Sequence, residues 1–353
     1  MATYDIEGNV IAQMNNEGKN IITRNDITEE LNQALRPINI AIRQWQTEPE
    51  PVALMHFSDI HGDGDALARL VTFYDAYSDK LDDMLCTGDI VQYRFSDGIA
   101  FWDAVDGAEN ILISIGNHDT LGATSGWDWS NVKSQADQYT RYMAPYISNW
   151  GCTYESGKTY YYKDYIEKNV RLVVINCMLL DADKTAQLSW LASTLESARD
   201  AGLSVVIAVH YHMGDSVKVQ CGFSNIDMRN SETPFGGLES EYMDAVQTFI
   251  NAGGEFVCYL AGHLHYDIFS VNATYPTQYC IGIDAASVDQ SNYYSDTQRT
   301  LGTKSEDLAN VVVIDTSSKA VKVIRIGADT DHYLRSKKCM TFKYDTGTIL
   351  CDR

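Results

Sequence analysis

Short apolar runs recur along the chain from residue 52, each followed by a polar loop and several by a stretch with helical spacing. Residues 52–57, 84–87, 111–115, 171–177, 204–209 and 256–260 are mostly rich in Val, Ile and Leu, as strands buried on both faces tend to be. Residues 65–78, 185–201 and 239–252 carry apolar positions at helical intervals. Strands alternating with helices predict an α/β architecture. After Gly262 the helical pattern fades. Residues 266–271, 278–283, 311–315 and 320–326 predict a run of antiparallel strands, and 160–166 is a further strand candidate. There is no internal repeat and no low-complexity tract.

Residues 1–50 follow a different pattern. Residues 5–22 are polar, with Gly8 and Gly18 as turn points. Thr28 is placed to cap a helix that carries Leu31, Leu35, Ile38, Ile42 and Trp45, with Pro37 as a kink. Residues 47–51 hold two prolines and read as a linker. The expected division is an N-terminal extension (1–50), a main domain (51–330) and a C-terminal hairpin (331–353) packed on it. The extension reads equally well as an assembly or attachment element, which would make an oligomer or larger particle, and as a helix packed on the main domain. Two intervals, 121–157 and 211–237, lack periodicity and are rich in Trp, Tyr, Ser, Asn and Gly. Loops of that length carry function or small elements of their own.

Composition narrows the function classes. The 353 residues are 45% apolar and 21% charged, which supports a sizeable core and argues against wholesale disorder. The net charge of −21 disfavours binding to long nucleic acid. Bound cations would reverse the local field for a small phosphate ester, while an acidic surface also serves solubility alone. No apolar run is long enough to span a bilayer. Residues 1–13 lack the basic start and apolar stretch of a secretory signal, so a cytoplasmic location is expected. The eight cysteines form no CxxC pair and are too few for a disulfide scaffold. Cys86, Cys177 and Cys258 fall inside apolar runs, as small hydrophobes do, and Cys339 and Cys351 flank the C-terminal hairpin and could pair.

The residues suited to metal chemistry fall at the ends of the predicted strands. Asp59 and His61 follow the first; Gly88-Asp89 follows the second; Gly116-Asn117-His118-Asp119 follows the third. His210 closes the strand at 204–209, and Gly262-His263-Leu264-His265 follows 256–260. The C-terminal edge of an α/β sheet is where ligands gather. Residues two apart on an extended segment share a side, so Asp59 with His61, and His263 with His265, are expected to reach one pocket. Glycine before Asp89, Asn117 and His263 permits close backbone approach. Asp, Asn and His donors without cysteine suit Mn, Fe or Zn better than Ca or Mg. Singly, each segment is an ordinary turn or core pair. Jointly they take five of the eight histidines. His56 reads as a strand residue facing away, and His332 as exposed. His212 could replace His210 as a ligand or contact substrate.

The ordered series Asp-x-His, Gly-Asp, Gly-Asn-His-Asp, His, Gly-His-x-His resembles the calcineurin-like metallophosphoesterase superfamily, over residues 52–271. That resemblance implies an α/β fold built as a two-sheet αββα sandwich with a small N-terminal extension, and two divalent metal ions. Asp59, His61 and His265 would hold the first ion, Asn117, His210 and His263 the second, and Asp89 would bridge them. His118 would be the general acid or phosphate contact, oriented by Asp119. The implied activity is hydrolysis of a phosphate ester by a metal-bridging hydroxide, as a phosphodiesterase or phosphatase on a small or medium substrate. The stretch after Asp89 lacks the further acid of the serine/threonine protein-phosphatase branch, and its arginine, Arg94, is displaced, though still a candidate phosphate contact. The rival reading is a catalytically silent binding or structural module of a larger assembly. Trp127, Trp129, Tyr139, Tyr142 and Tyr146 could form a lid over the substrate or pack in the core.

Overall fold

The computed structural model describes residues 2–4, 10–13, 49–92, 95, 99–121, 132–213, 239–265, 267–271, 274–287, 299–302, 306–328 and 339–352. The strands are β1 (Ala2–Tyr4), β2 (Val10–Gln13), β3 (Val52–Phe57), β4 (Asp83–Cys86), β5 (Leu112–Ile113), β6 (Thr153–Tyr154), β7 (Tyr161–Tyr165) and β8 (Val170–Val174). They continue with β9 (Ser204–Ala208), β10 (Phe256–Ala261), β11 (Ile268–Val271), β12 (Tyr279–Gly282), β13 (Leu308–Asp315), β14 (Ala320–Gly327), β15 (Cys339–Lys343) and β16 (Ile349–Asp352). Three longer helices are α1 (Gly64–Ala76), α2 (Asp181–Asp200) and α3 (Glu239–Asn251). None of the described helices is long and apolar enough to cross a membrane.

Two seven-stranded sheets carry the fold, in the orders β11-β12-β10-β9-β8-β7-β6 and β16-β15-β14-β13-β3-β4-β5. β1 and β2 form a separate antiparallel pair. Each large sheet has a parallel part, central in one (β8, β9, β10 and β12) and at one end of the other (β3, β4 and β5). Every side chain of β3, β4, β8, β9 and β10 is buried, so these strands read as continuous apolar runs rather than alternating ones. The sheets face each other across one apolar core. Phe342 of β15 packs on Phe269 of β11 at 4.8 Å between ring centroids, and the Tyr161 hydroxyl of β7 donates to the Ile113 carbonyl of β5. Helix α1 is capped by the Asp63 carboxylate, which accepts from the Ala66 N–H. Helix α2 turns Gln187, Leu191, Thr194, Leu195 and Ala198 inward, at spacings of three and four.

The predicted strands and helices form close to their expected bounds, with one change of pairing. β12 pairs antiparallel with β11, as expected, but its other neighbour is β10, to which it lies parallel, and β11 takes the sheet edge. The apolar pattern of a short strand says nothing about which neighbour it chooses. The interval 121–157 contains a short helix at Gln135–Gln138, further helical turns and β6, with Tyr142, Tyr146 and Trp150 buried in the core and Tyr139 packed against it. Of the tyrosines of the suggested lid, Tyr142 and Tyr146 are therefore core residues and Tyr139 is half-buried against them, while Trp127 and Trp129 lie outside the described residues. So do the helix expected around residues 28–45, Arg94 and His332, and the side chains of Cys339 and Cys351. β15 and β16 extend the second sheet beyond β14.

A buried polar knot holds the loop after β8. The Gln187 side chain accepts from the Asn176 N–H and donates to the Asn176 carbonyl, each at 2.8 Å, and also donates to the Tyr242 hydroxyl. Gln187→Leu keeps the volume and strips these partners from buried groups, so chemical denaturation should register a loss of about 1–3 kcal/mol. An unchanged midpoint would mean that the knot contributes nothing to stability.

Candidate metal centre

The metal-type residues occupy one edge of the sandwich, immediately past the C-terminal ends of β3, β4, β5, β9 and β10. The loops interlock through their backbones. Asp59 and His61 donate N–H bonds to the Gly88 and Asp89 carbonyls at 3.0 Å, and Gly262 donates to the His210 carbonyl at 3.0 Å. Asp59, His61, Asp89, His263 and His265 all have left-handed backbones, with φ of 54°, 49°, 52°, 71° and 54°. The pairs Asp59/His61 and His263/His265 thus converge through left-handed turns and not by alternation along an extended strand. That corrects the geometric basis of the expectation while leaving its outcome intact. Non-glycine residues in this region are uncommon, and such strain gathers where surrounding structure over-determines it.

The glycines are required for a steric reason. A Cβ on Gly116 would sit 2.2 Å from the Asp89 amide nitrogen, and one on Gly262 would sit 1.9 Å from the Ser58 Oγ. A Cβ on Gly88 would meet the His210 Nδ1 at 2.6 Å. Any side chain at these positions would push the loops apart.

Two groups of donor atoms result. Asp59, His61, Asp89 and His265 offer atoms within 4.8 Å of one another, and so do Asp89, His210 and His263. Asp89 is common to both. In the first group the His61 and His265 Nε2 atoms face each other at 3.2 Å, and His265 Nε2 lies 3.1 Å from Asp59 Oδ1. In the second, His210 Nε2 lies 3.3 Å from Asp89 Oδ1 and 2.9 Å from Asn117 Oδ1. His210 Nδ1 donates to the Thr87 carbonyl at 2.8 Å, which turns Nε2 toward the pocket. His263 stacks against Tyr211, the residue after His210, at 4.3 Å between centroids.

Burial makes the charge balance strict. Asp59 and Asp89 are at most 1% exposed. Burial works against both carboxylates, yet His265 and His210 beside Asp59, and His118, His210 and His61 beside Asp89, hold them below the usual carboxylate range. Burial and the neighbouring His118 push His61 down to about 3, the neutral form in which imidazole ligates metal. Burial opposes charge on His210 too, but Asp89 and Asp59 outweigh it and raise it to about 9. Among the described residues His61 Nδ1 has no hydrogen-bond partner. Paired carboxylates, imidazole nitrogens and an amide oxygen, without a thiol, form a donor set that fits two divalent ions.

His118 and Asp119 are both in the pocket wall but are not paired as expected. His118 Nδ1 is held by the Gln92 carbonyl, and its Nε2 lies 3.6 Å from Asp89 Oδ2. Asp119 directs its oxygens at the N–H groups of Ile90, Val91 and Gly116, at 2.8–3.1 Å. The carboxylate clamps the loops that carry Asp89 and Asn117, and a backbone carbonyl orients the imidazole. Burial, followed by the adjacent Asp89 charge, raises Asp119 to about 7. The Gln92 carbonyl had no sequence signal, because every residue has one. His212 is not part of either donor group: its ring meets Ser270 Oγ at 2.6 Å and Cys280 Sγ at 3.4 Å in the core, and burial lowers it to about 3. His56 is also buried, with Nε2 3.0 Å from Thr87 Oγ1.

Solved structures with this fold include a dimetal phosphatase from Danio rerio, 12% identical, with a TM-score of 0.52, covering 83% of this chain and 99% of that one. A purple acid phosphatase, PPD1, from seeds of yellow lupin (Lupinus luteus) is 12% identical, with a TM-score of 0.47, covering 85% of this chain and 52% of that one. No curated protein matches the chain significantly. The family model for calcineurin-like phosphoesterases matches residues 52–267, more than half of the chain and the span that holds both donor groups, and the chain belongs to that family.

Proposed function

We propose that this chain hydrolyses a phosphate ester of small or medium size at a dinuclear metal centre. Asp59, His61 and His265 hold one ion, Asn117, His210 and His263 the other, and Asp89 reaches both. The observation that carries this reading is the sharing of Asp89 between two separate donor groups. Two bound divalent cations would lower the pKa of a water and place positive charge opposite the phosphoryl oxygens. The donor set favours Mn, Fe or Zn.

The chain's own residues supply the rest. His118 Nδ1–H donates to the Gln92 carbonyl, so Nε2 is the nitrogen presented to the pocket. From there it can hand a proton to the departing oxygen as a general acid. Asp119 keeps the Asp89 and Asn117 loops in register through three amides. The acidic composition opposes a long polyanionic substrate, which favours a compact diester or monoester.

Chelator-treated protein should be inactive and should regain turnover of bis-p-nitrophenyl phosphate or p-nitrophenyl phosphate when Mn is restored. No turnover of either ester, in protein holding two metals, would leave only a binding or structural role. His118→Gln should lower kcat by ~10²–10⁴-fold on an alkyl ester, whose leaving oxygen needs a proton. On a p-nitrophenyl ester the same change should cost far less, and equal losses on both would exclude the acid role. Asp119→Asn should cost about 10–100-fold, as a residue that supports ligands. Asp89→Asn should cost more, because it removes charge from both donor groups, and parity between the two variants would count against the bridging assignment.

A further inference from the structure

Each donor group draws on both sheets. Asp59, His61, Asp89 and Asn117 follow strands β3, β4 and β5 of one sheet, and His210, His263 and His265 follow β9 and β10 of the other. Ligand separation therefore depends on how the sheets are held at this edge. Some ties are visible in the backbone: Ala286 N donates to the Ser58 carbonyl at 2.8 Å, and His263 N donates to Asp59 Oδ2 at 3.0 Å. His263 is fixed directly in this way.

A further tie crosses the sandwich two residues beyond His265. The Arg325 guanidinium, on β14 of the β3 sheet, donates through Nη2 to the carboxylate of Asp267, the residue before β11, and both side chains are 1% exposed. The same Asp267 oxygen accepts from the Asp284 N–H at 3.4 Å. Arg325 lies beside Asn310, and Asn310 beside His56, on one rung of the β14-β13-β3 sheet. Among the described residues, Arg325 Nε and Nη1 and both Asn310 amide atoms have no hydrogen-bond partner. A buried ion pair with leftover donors is a poor device for stability, because desolvation offsets its attraction. Its geometry, by contrast, is specific: it fixes where the chain leaves the His265 loop.

We propose that Arg325 is a positioning residue for the metal ligand His265, acting through Asp267 across the two sheets. This rests on the dinuclear reading above. The expected effect is greatest at His265, whose side chain meets Asp59 Oδ1 but whose backbone runs on to Asp267 two residues later; the His263 N–H is itself tied to Asp59, and His210 is held by Thr87.

The test is titration of Mn into metal-depleted protein, followed by calorimetry, with circular dichroism and thermal unfolding alongside. The double variant Arg325→Met with Asp267→Asn removes both charges together and leaves no lone buried ion. It should unfold cooperatively, bind one Mn within twofold of wild type, and bind the other about 10–100-fold more weakly. If that variant does not fold, Arg325→Lys keeps the buried charge without the planar fork and should give the same selective weakening. Unchanged affinity for both ions in a folded variant, or equal weakening of both, would overturn the positioning role. Wild-type protein that takes up fewer than two Mn ions would instead overturn the dinuclear reading itself, so the two failures are distinguishable.

Discussion

Asp59 and Asp89 place two carboxylates within one almost fully buried pocket, and a buried negative charge persists only where opposite charge or hydrogen bonds meet it. The rest of the edge is arranged around that demand. Imidazoles from His61, His118, His210 and His265 face the two carboxylates, and the amides of His118 and His263 donate to them. Without such company the aspartates would take protons or exclude the fold. With it, they become an electron-rich site whose natural complement is a pair of cations.

Bringing that many polar groups together needs backbones in contact, and contact needs glycine. Gly88, Gly116 and Gly262 each occupy a place where a Cβ would strike a ligand loop. The left-handed turns at Asp59, His61, Asp89, His263 and His265 have the same origin. Each strand ends, reverses within a residue or two and aims its side chain back over the sheet edge. The strain is borne by the surrounding ladder, since the loops continue to exchange backbone hydrogen bonds beyond the last strand residue. Such a site is held rigidly and built on strand ends, which suits chemistry that depends on fixed ligand positions.

The sandwich adds a constraint that neither sheet could satisfy alone. One contributes the carboxylates and Asn117; the other contributes His210, His263 and His265. The candidate metal centre is therefore also an inter-sheet joint, crossed by contacts such as Ala286 to Ser58 and Arg325 to Asp267. The Arg325–Asp267 pair lies, like the Gln187–Asn176 knot, among the buried polar groups of a mainly apolar core.

The family resemblance, the strand and helix inventory and the residues that gather at the pocket were all legible in the linear chain, because each rests on local information. Apolar runs bounded by loops mark strands, and the donor residues follow those strands in a fixed order. What sequence could not decide was pairing and partnership. β12 runs parallel to β10 because a neighbour is chosen in three dimensions. Asp119 serves backbone amides while a carbonyl holds His118, and His212 is a core residue, because hydrogen-bond partners lie far apart in the chain. The convergence of Asp59 with His61 was visible, but its cause, a left-handed turn, was not. Sequence determined which side chains bring the chemistry, while tertiary packing decided which atoms face each other, since contact between distant residues is a property of the folded whole.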